Sequence, residues 1–176
     1  MSPTPPPVIP TDPYALVENG IADRLRAALW GTYFDKVWQV SNNDANINVG
    51  VEYLIVMRPG GFPFLQTNYK SGEIQDVDWV TYAHLYVRYQ EKDEQWARFN
   101  PFRWAVMHVV MKYRFLDEKR IGDTTLAQVP NIDRVKSIDA AEDAGFWRFF
   151  GTKESSPPSF MYQPLRIITG ARVRFE

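Results

Sequence analysis

The sequence predicts an α+β fold: a mostly antiparallel sheet with two amphipathic helices packed on one face. Three observations predict it. From Asp78 to Gln90 the chain alternates, with Trp79, Thr81, Ala83, Leu85, Val87 and Tyr89 on one face and Tyr82, His84, Tyr86 and Arg88 on the other, the period of two that a strand imposes. Two other segments carry apolar residues at helical spacing. The strand candidates follow one another through loops, which favours antiparallel neighbours, and helices with apolar stripes need a sheet face to cover.

The first twelve residues include Pro3, Pro5-Pro6-Pro7 and Pro10, an extended, polyproline-like arm. Asp12-Pro13 then opens a helix, with Asp as cap and Pro at the first helical position. Its stripe is Leu16, Val17, Ile21, Leu25, Ala28 and Leu29, with Glu18, Asp23 and Arg26 off it and Gly31 as terminator. Val37 to Val40 is a short strand before the turn-rich Ser41-Asn42-Asn43-Asp44. Tyr53 to Met57 is an apolar run short enough for a buried strand, stopped by Arg58-Pro59-Gly60-Gly61.

A long excursion at about 59–76 carries Phe62, Phe64, Leu65 and Tyr69; such apolar content fits a hairpin or a loop packed on a partner. After the 78–90 strand, Asn100-Pro101 is expected to open the second helix, with Phe102, Ala105, Val106, Val109, Val110 and Tyr113 as its stripe. The β-branched valines lower helix propensity, so burial must support it. Residues 117–131 are polar, Val135 to Ile138 is a strand candidate, and Leu165 onward alternates again after a polar loop that follows Trp147. An apolar strand there has to be tied into the sheet.

With 176 residues and no internal repeat, residues 13–176 are expected to form one domain, large enough to bury roughly 70% of the unfolded surface. A net charge of −1 argues against general polyanion binding. No cysteine is present, which removes disulfides, thiolate metal sites and a thiol nucleophile. No apolar run approaches a membrane span, and residues 1–7 lack the features of a signal peptide. A soluble protein made in a cytoplasm is expected.

Catalytic chemistry is sparse. His84 and His108 are the two histidines, neither with a Ser or Asp motif, and both are read as solvated or interface residues. Gly60-Gly61 lacks the rest of a phosphate loop. Asp139, Glu142 and Asp143 have no EF-hand spacing. Arg98, Arg103, Lys112, Arg114, Lys119 and Arg120 interleave with aromatics in region 96–120, as in single-strand binders, but the apolar positions there fit a core stripe. No enzyme, cofactor or metal is expected. A surplus of large apolar residues remains outside the stripes, including Tyr82, Tyr86, Trp96, Trp104, Phe160 and Tyr162. Such residues mark protein contact surfaces.

Two segments are similar to those of a known family. One is Ser71-Gly72-Glu73-Ile74-Gln75-Asp76-Val77-Asp78-Trp79 running into the strand to Tyr89. The other is the acidic approach Asp139 to Asp143, then Ala144-Gly145-Phe146-Trp147, before the last strand. On these, and on element order over most of 13–176, the chain resembles the tail terminator proteins of long-tailed bacteriophages. The proline-rich arm and the extra residues around 148–163 depart from that family and leave open a related head-tail connector or neck protein. The resemblance implies a virion protein, a hexameric ring at the head-proximal end of the tail tube. It stops tube polymerisation and presents the surface to which the filled head attaches, while DNA passes through the lumen without sequence-specific binding. The expected partners are further copies of itself, the tail tube protein and a head-tail connector or neck protein, with no membrane. Phe62, Phe64, Leu65 and Tyr69 are expected to meet a neighbouring subunit or the tube, the arm up to Asp12 to reach an adjacent ring, and Trp147 with Phe149 and Phe150 to anchor the segment before the last strand. A small nucleic-acid-binding protein using region 96–120 is the alternative from another class.

Overall fold

The computed structural model describes residues 13–39, 52–57, 64–69, 74–89, 95–114, 120–121, 124–125, 132–147 and 158–174. The elements are α1 (Pro13–Leu29), β1 (Lys36–Gln39), β2 (Tyr53–Met57), β3 (Phe64–Tyr69), β4 (Ile74–Arg88), α2 (Gln95–Lys112), β5 (Arg120–Ile121), β6 (Thr124–Thr125), β7 (Ile132–Ala140), β8 (Gly145–Trp147) and β9 (Phe160–Arg174). This is α+β, with a mainly antiparallel sheet.

The sheet is built on β4 and β9. All 15 residues of β4 pair with β9, from Ile74 opposite Arg174 to Arg88 opposite Phe160. Each spine strand has an interrupted partner on its other edge. Along β4, β2 covers Tyr82 to Tyr86 and β3 covers Gln75 to Trp79. Met57 is opposite Tyr82 and Phe64 opposite Trp79, so β2 and β3 follow one another along the same edge of β4. Along β9, β7 ends with Ala140 opposite Leu165 and β8 begins with Gly145 opposite Tyr162, with 141–144 displaced. A further ladder joins β5 to β6.

The register explains how a proline sits inside a central strand. Pro164 lies opposite His84 in β9, at the step where β9 changes partner from β8 to β7. A proline cannot donate to a ladder, and the interruption removes the demand at that edge. Its carbonyl still accepts from the Ala141 N–H at 3.0 Å.

Several expectations are corrected. The last strand begins at Phe160, not Leu165, because Pro164 is accommodated as described. By contrast, the described part of the excursion at about 59–76 takes one of the two forms expected, since β3 pairs antiparallel with the start of β4. Consecutive β1 and β2 run parallel; the connection 40–52 is of the dozen-residue length that parallel return requires. The second helix starts at Gln95, leaving Pro101 inside it. Phe99 is fully buried in the core and Arg98 is ion-paired, so tertiary contacts support the extra turn. Pro101 removes the bond to the Ala97 carbonyl, but both residues are exposed, where water replaces it. Glu18, off the apolar stripe, is fully buried, as is nearly all of Arg24. The Asp12 cap lies outside the described residues.

α1 ends as expected. Gly31 has φ of 75°, a conformation that costs glycine least, and its N–H donates to Phe34 O at 2.8 Å. Val17, Ile21 and Leu25 of α1 and Val106, Val109 and Val110 of α2 join one core cluster. Val77, Trp79, Ala83, Leu85 and Val87 of β4 and Met161, Leu165 and Ile167 of β9 belong to it as well.

Glu52, 4% exposed, ties three elements together just before β2. Its carboxylate accepts from the Arg88 backbone N–H at 2.6 Å and from Arg88 Nε at 3.3 Å, both at the end of β4. It also accepts from Arg98 Nη2 of α2 at 2.5 Å. The Glu52 N–H donates to Asp35 Oδ2 at 2.7 Å. A buried carboxylate removed from such a set strands its donors. Glu52→Ala is therefore expected to lower unfolding free energy by about 2–5 kcal/mol in a urea titration. Asp139→Ala, which breaks a solvent-screened pair with Arg166, should shift the urea midpoint far less than Glu52→Ala.

Candidate functional site

The face of β4 and β9 opposite the core residues carries an aromatic row. Residues directly opposite in an antiparallel pair share a face, and the register sets Tyr86 against Tyr162, His84 against Pro164 and Tyr82 against Arg166. All but the buried Pro164 are half-buried. The Tyr86 and Tyr162 rings lie 4.9 Å apart. His84 stacks on Tyr162 at 5.9 Å with planes 13° apart, and Tyr82 lies 5.9 Å from His84 on its other side. Tyr86 meets the edge of the fully buried Phe160. At one end Arg166 makes a fork to Asp139, at 3.1 Å from Nε and 3.0 Å from Nη2.

The row is uncharged. Burial lowers His84 from its ordinary 6.5 to about 4. Burial first, then Tyr86 and Glu142, raise Tyr162 well above its ordinary range, and burial raises Tyr86. The Tyr162 hydroxyl and His84 Nδ1 are 2.7 Å apart. With the ring proton on Nε2 the hydroxyl donates and Nδ1 accepts; with it on Nδ1 the direction reverses. General acid–base chemistry requires values near the working pH, and here the histidine is shifted down while its partner is shifted up. The pair suits a rigid, neutral contact surface better than proton transfer.

Nearby charges are used structurally. Lys136 falls at the irregularity between Val135 and Ser137 of β7 and reaches Asp78 of β4. A bulge re-aims a side chain in this way. The ion pair crosses β9 at Gly170, where a Cβ would come within 2.7 Å of Lys136 Cε. Gln163, almost fully buried, donates to the Glu142 carbonyl at 3.2 Å and holds the displaced segment 141–144. Among the described residues, no group of three or more His, Cys, Asp or Glu is placed to hold a metal. Nor is any described helix long and apolar enough to cross a membrane.

No protein-family model matches the chain, and no curated protein matches it. Its chemistry has to be read from its own residues.

The expected contact residues are spread along the two interrupted strands. Phe64, Leu65 and Tyr69 lie on β3, opposite Trp79, Asp78 and Gln75. Trp147 lies on β8 opposite Phe160. Phe62, Phe149, Phe150 and the arm 1–12 fall outside the described residues. Among the surplus aromatics, Phe160 belongs to the interior, whereas Trp96 and Trp104 are 50% and 67% exposed. Trp30, Tyr33, Met111 and Phe146 are exposed too; of these the sequence singles out only Phe146, within the segment before the last strand. Of the basic residues in region 96–120, Arg98 is committed to Glu52, and Lys119 falls outside the described residues. His84 is part of the aromatic row, not a solvated residue. The alternation had already put it beside Tyr82 and Tyr86, but nothing local signals Tyr162.

The histidine gives a pH signature. The unfolded state takes up a proton near 6.5 and folded His84 only near 4, so its contribution is complete above the first value and is lost as pH falls toward the second. His84→Gln keeps an acceptor for Tyr162 and removes the titration. Thermal or urea unfolding across this window should lose more stability in the parent than in the variant. Equal slopes would refute the assignment.

Proposed function

We propose that the chain is a structural virion protein of a long-tailed bacteriophage, a tail terminator. It forms a ring, hexameric by family resemblance, that caps the tail tube, stops its polymerisation and offers the head its attachment surface. The observation that carries this proposal is the set of large apolar side chains left in solvent: Trp30, Tyr33, Trp96, Trp104, Met111 and Phe146. Exposed groups of this kind mark contact surfaces, and tryptophan and tyrosine are the residues from which strong protein contacts are built.

Two further features support it. Ring closure requires heterologous contacts, one patch meeting a different patch on the next copy, and the exposed residues lie on separate elements: after α1, along α2 and on β8. The aromatic row is neutral and tightly hydrogen-bonded, suited to contact rather than turnover. A neutral, slightly acidic chain also suits a lumen through which DNA slides. On this proposal the protein is not an enzyme and needs no cofactor.

Native mass measurement, with and without purified tail tube subunits, is the direct test. Rings that end growing tubes at one end are expected. A protein that stays monomeric and neither closes rings nor arrests tube growth would sink the proposal. Rings that bind portal-side components but ignore tubes would reassign it to the neck.

A further inference from the structure

The outer face of α2 is unusual for a helix on a protein surface. At about 100° per residue, Trp96, Asn100, Met111, Trp104, His108 and Pro101 fall within about 140° of one another, and no charged residue lies in that arc. Arg103 and Lys112 bound it on either side. Trp104 is 67% exposed, Trp96 and Met111 are exposed, and the His108 ring stacks on Trp104 at 6.4 Å. The opposite side of the helix is already committed to the core through Phe99, Val106, Val109 and Val110. A solvated helix face is normally charged; this one is an uncharged aromatic ledge.

The same chain contains a segment of matching chemistry. Residues 1–12 hold Pro3, Pro5, Pro6, Pro7 and Pro10, with Val8 and Ile9, and no charged side chain before Asp12. Three successive prolines leave at least one ladder-facing position without an N–H donor, which disfavours the sheet edges as a receptor for Pro5-Pro6-Pro7. Proline-rich segments dock instead on aromatic ledges, where pyrrolidine rings lie flat against indole and phenol faces and little backbone entropy is lost. The segment joins the fold at Pro13, the first residue of α1, which packs against α2. At about 3.1 Å per residue it reaches roughly 35 Å, more than the roughly 27 Å length of α2.

We infer that the outward face of α2 is the receptor for the proline-rich segment 1–12 of this chain, with Trp96 and Trp104 as the ledge on which the prolines stack. The docking shares Trp96, Trp104 and Met111 with the surface that supports the ring proposal: an arm from a neighbouring copy makes this face part of the ring contact, whereas an arm from the same copy leaves Trp30, Tyr33 and Phe146 to make it.

The absence of cysteine permits a clean test in the full-length protein. Val8→Cys combined with Asn100→Cys places one thiol on the arm and one on the exposed ledge. Val8→Cys with Glu142→Cys, at an exposed position on the segment 141–144, is the control. Docking raises the local thiol concentration, so disulfide formation should be roughly tenfold faster in the first pair. Trp104→Ser, or serine at Pro5, Pro6 and Pro7 together, should return it to the control rate. The mass of the cross-linked product, one chain or two, tells whose arm is bound, and either mass supports the inference. Equal rates in the two pairs would overturn it, as would a fast rate insensitive to both sets of substitutions. Rapid dimerisation of Asn100→Cys alone would seat a second copy's α2 on this face and overturn it as well. The uncross-linked mass judges the ring proposal separately.

Discussion

The constraint on which the rest depends is the full-length pairing of β4 with β9. Two strands of 15 residues that bond to one another throughout fix the face of every side chain they carry, since a slip of one residue would invert the whole set. The core residues of β4 and β9 and the aromatic row are the two faces of this one register. The partners outside the spine need only complete edges, and so can be interrupted. The Lys136 to Asp78 pair, passing over Gly170, adds a cross-link of three strands wide, which favours one register over its neighbours.

Much of the fold was legible because burial leaves a period in the sequence. The alternation from Asp78 to Gln90 and the stripe from Phe102 to Tyr113 each report a local environment that repeats along a single element. What could not be read depends on relations between distant residues. Pro164 looks like the end of a strand unless the break between β7 and β8 is known. Asn100-Pro101 looks like a helix start unless Phe99 is known to be buried. Glu18 looks solvated by its place off the stripe, yet burial encloses it. Parallel pairing of β1 with β2 leaves no mark in either strand. The candidate site divides in the same way: half of the aromatic row follows from β4 alternation, whereas Tyr162 enters from 78 residues away.

The chemistry of the molecule is consistent across its surfaces. Several charges in and beside the sheet are held in pairs or forks, as with Glu52, Asp78 and Asp139. Several large apolar groups, by contrast, are left in solvent. An enzyme site concentrates shifted titrations near the working pH; here the aromatic row moves them away from it. Such a surface keeps one protonation state across ordinary pH, as the contact role proposed above would require.

The interrupted strands have a consequence for how the domain tolerates change. Pairing resumes in phase after the displaced segment, with Ala140 opposite Leu165 and Gly145 opposite Tyr162 on either side of 141–144. Residues added or removed within a displaced segment therefore alter the surface without shifting the ladder that carries it. The spine sets a fixed frame, and the break at 141–144 is a place where new binding specificity can be written into it without refolding the sheet.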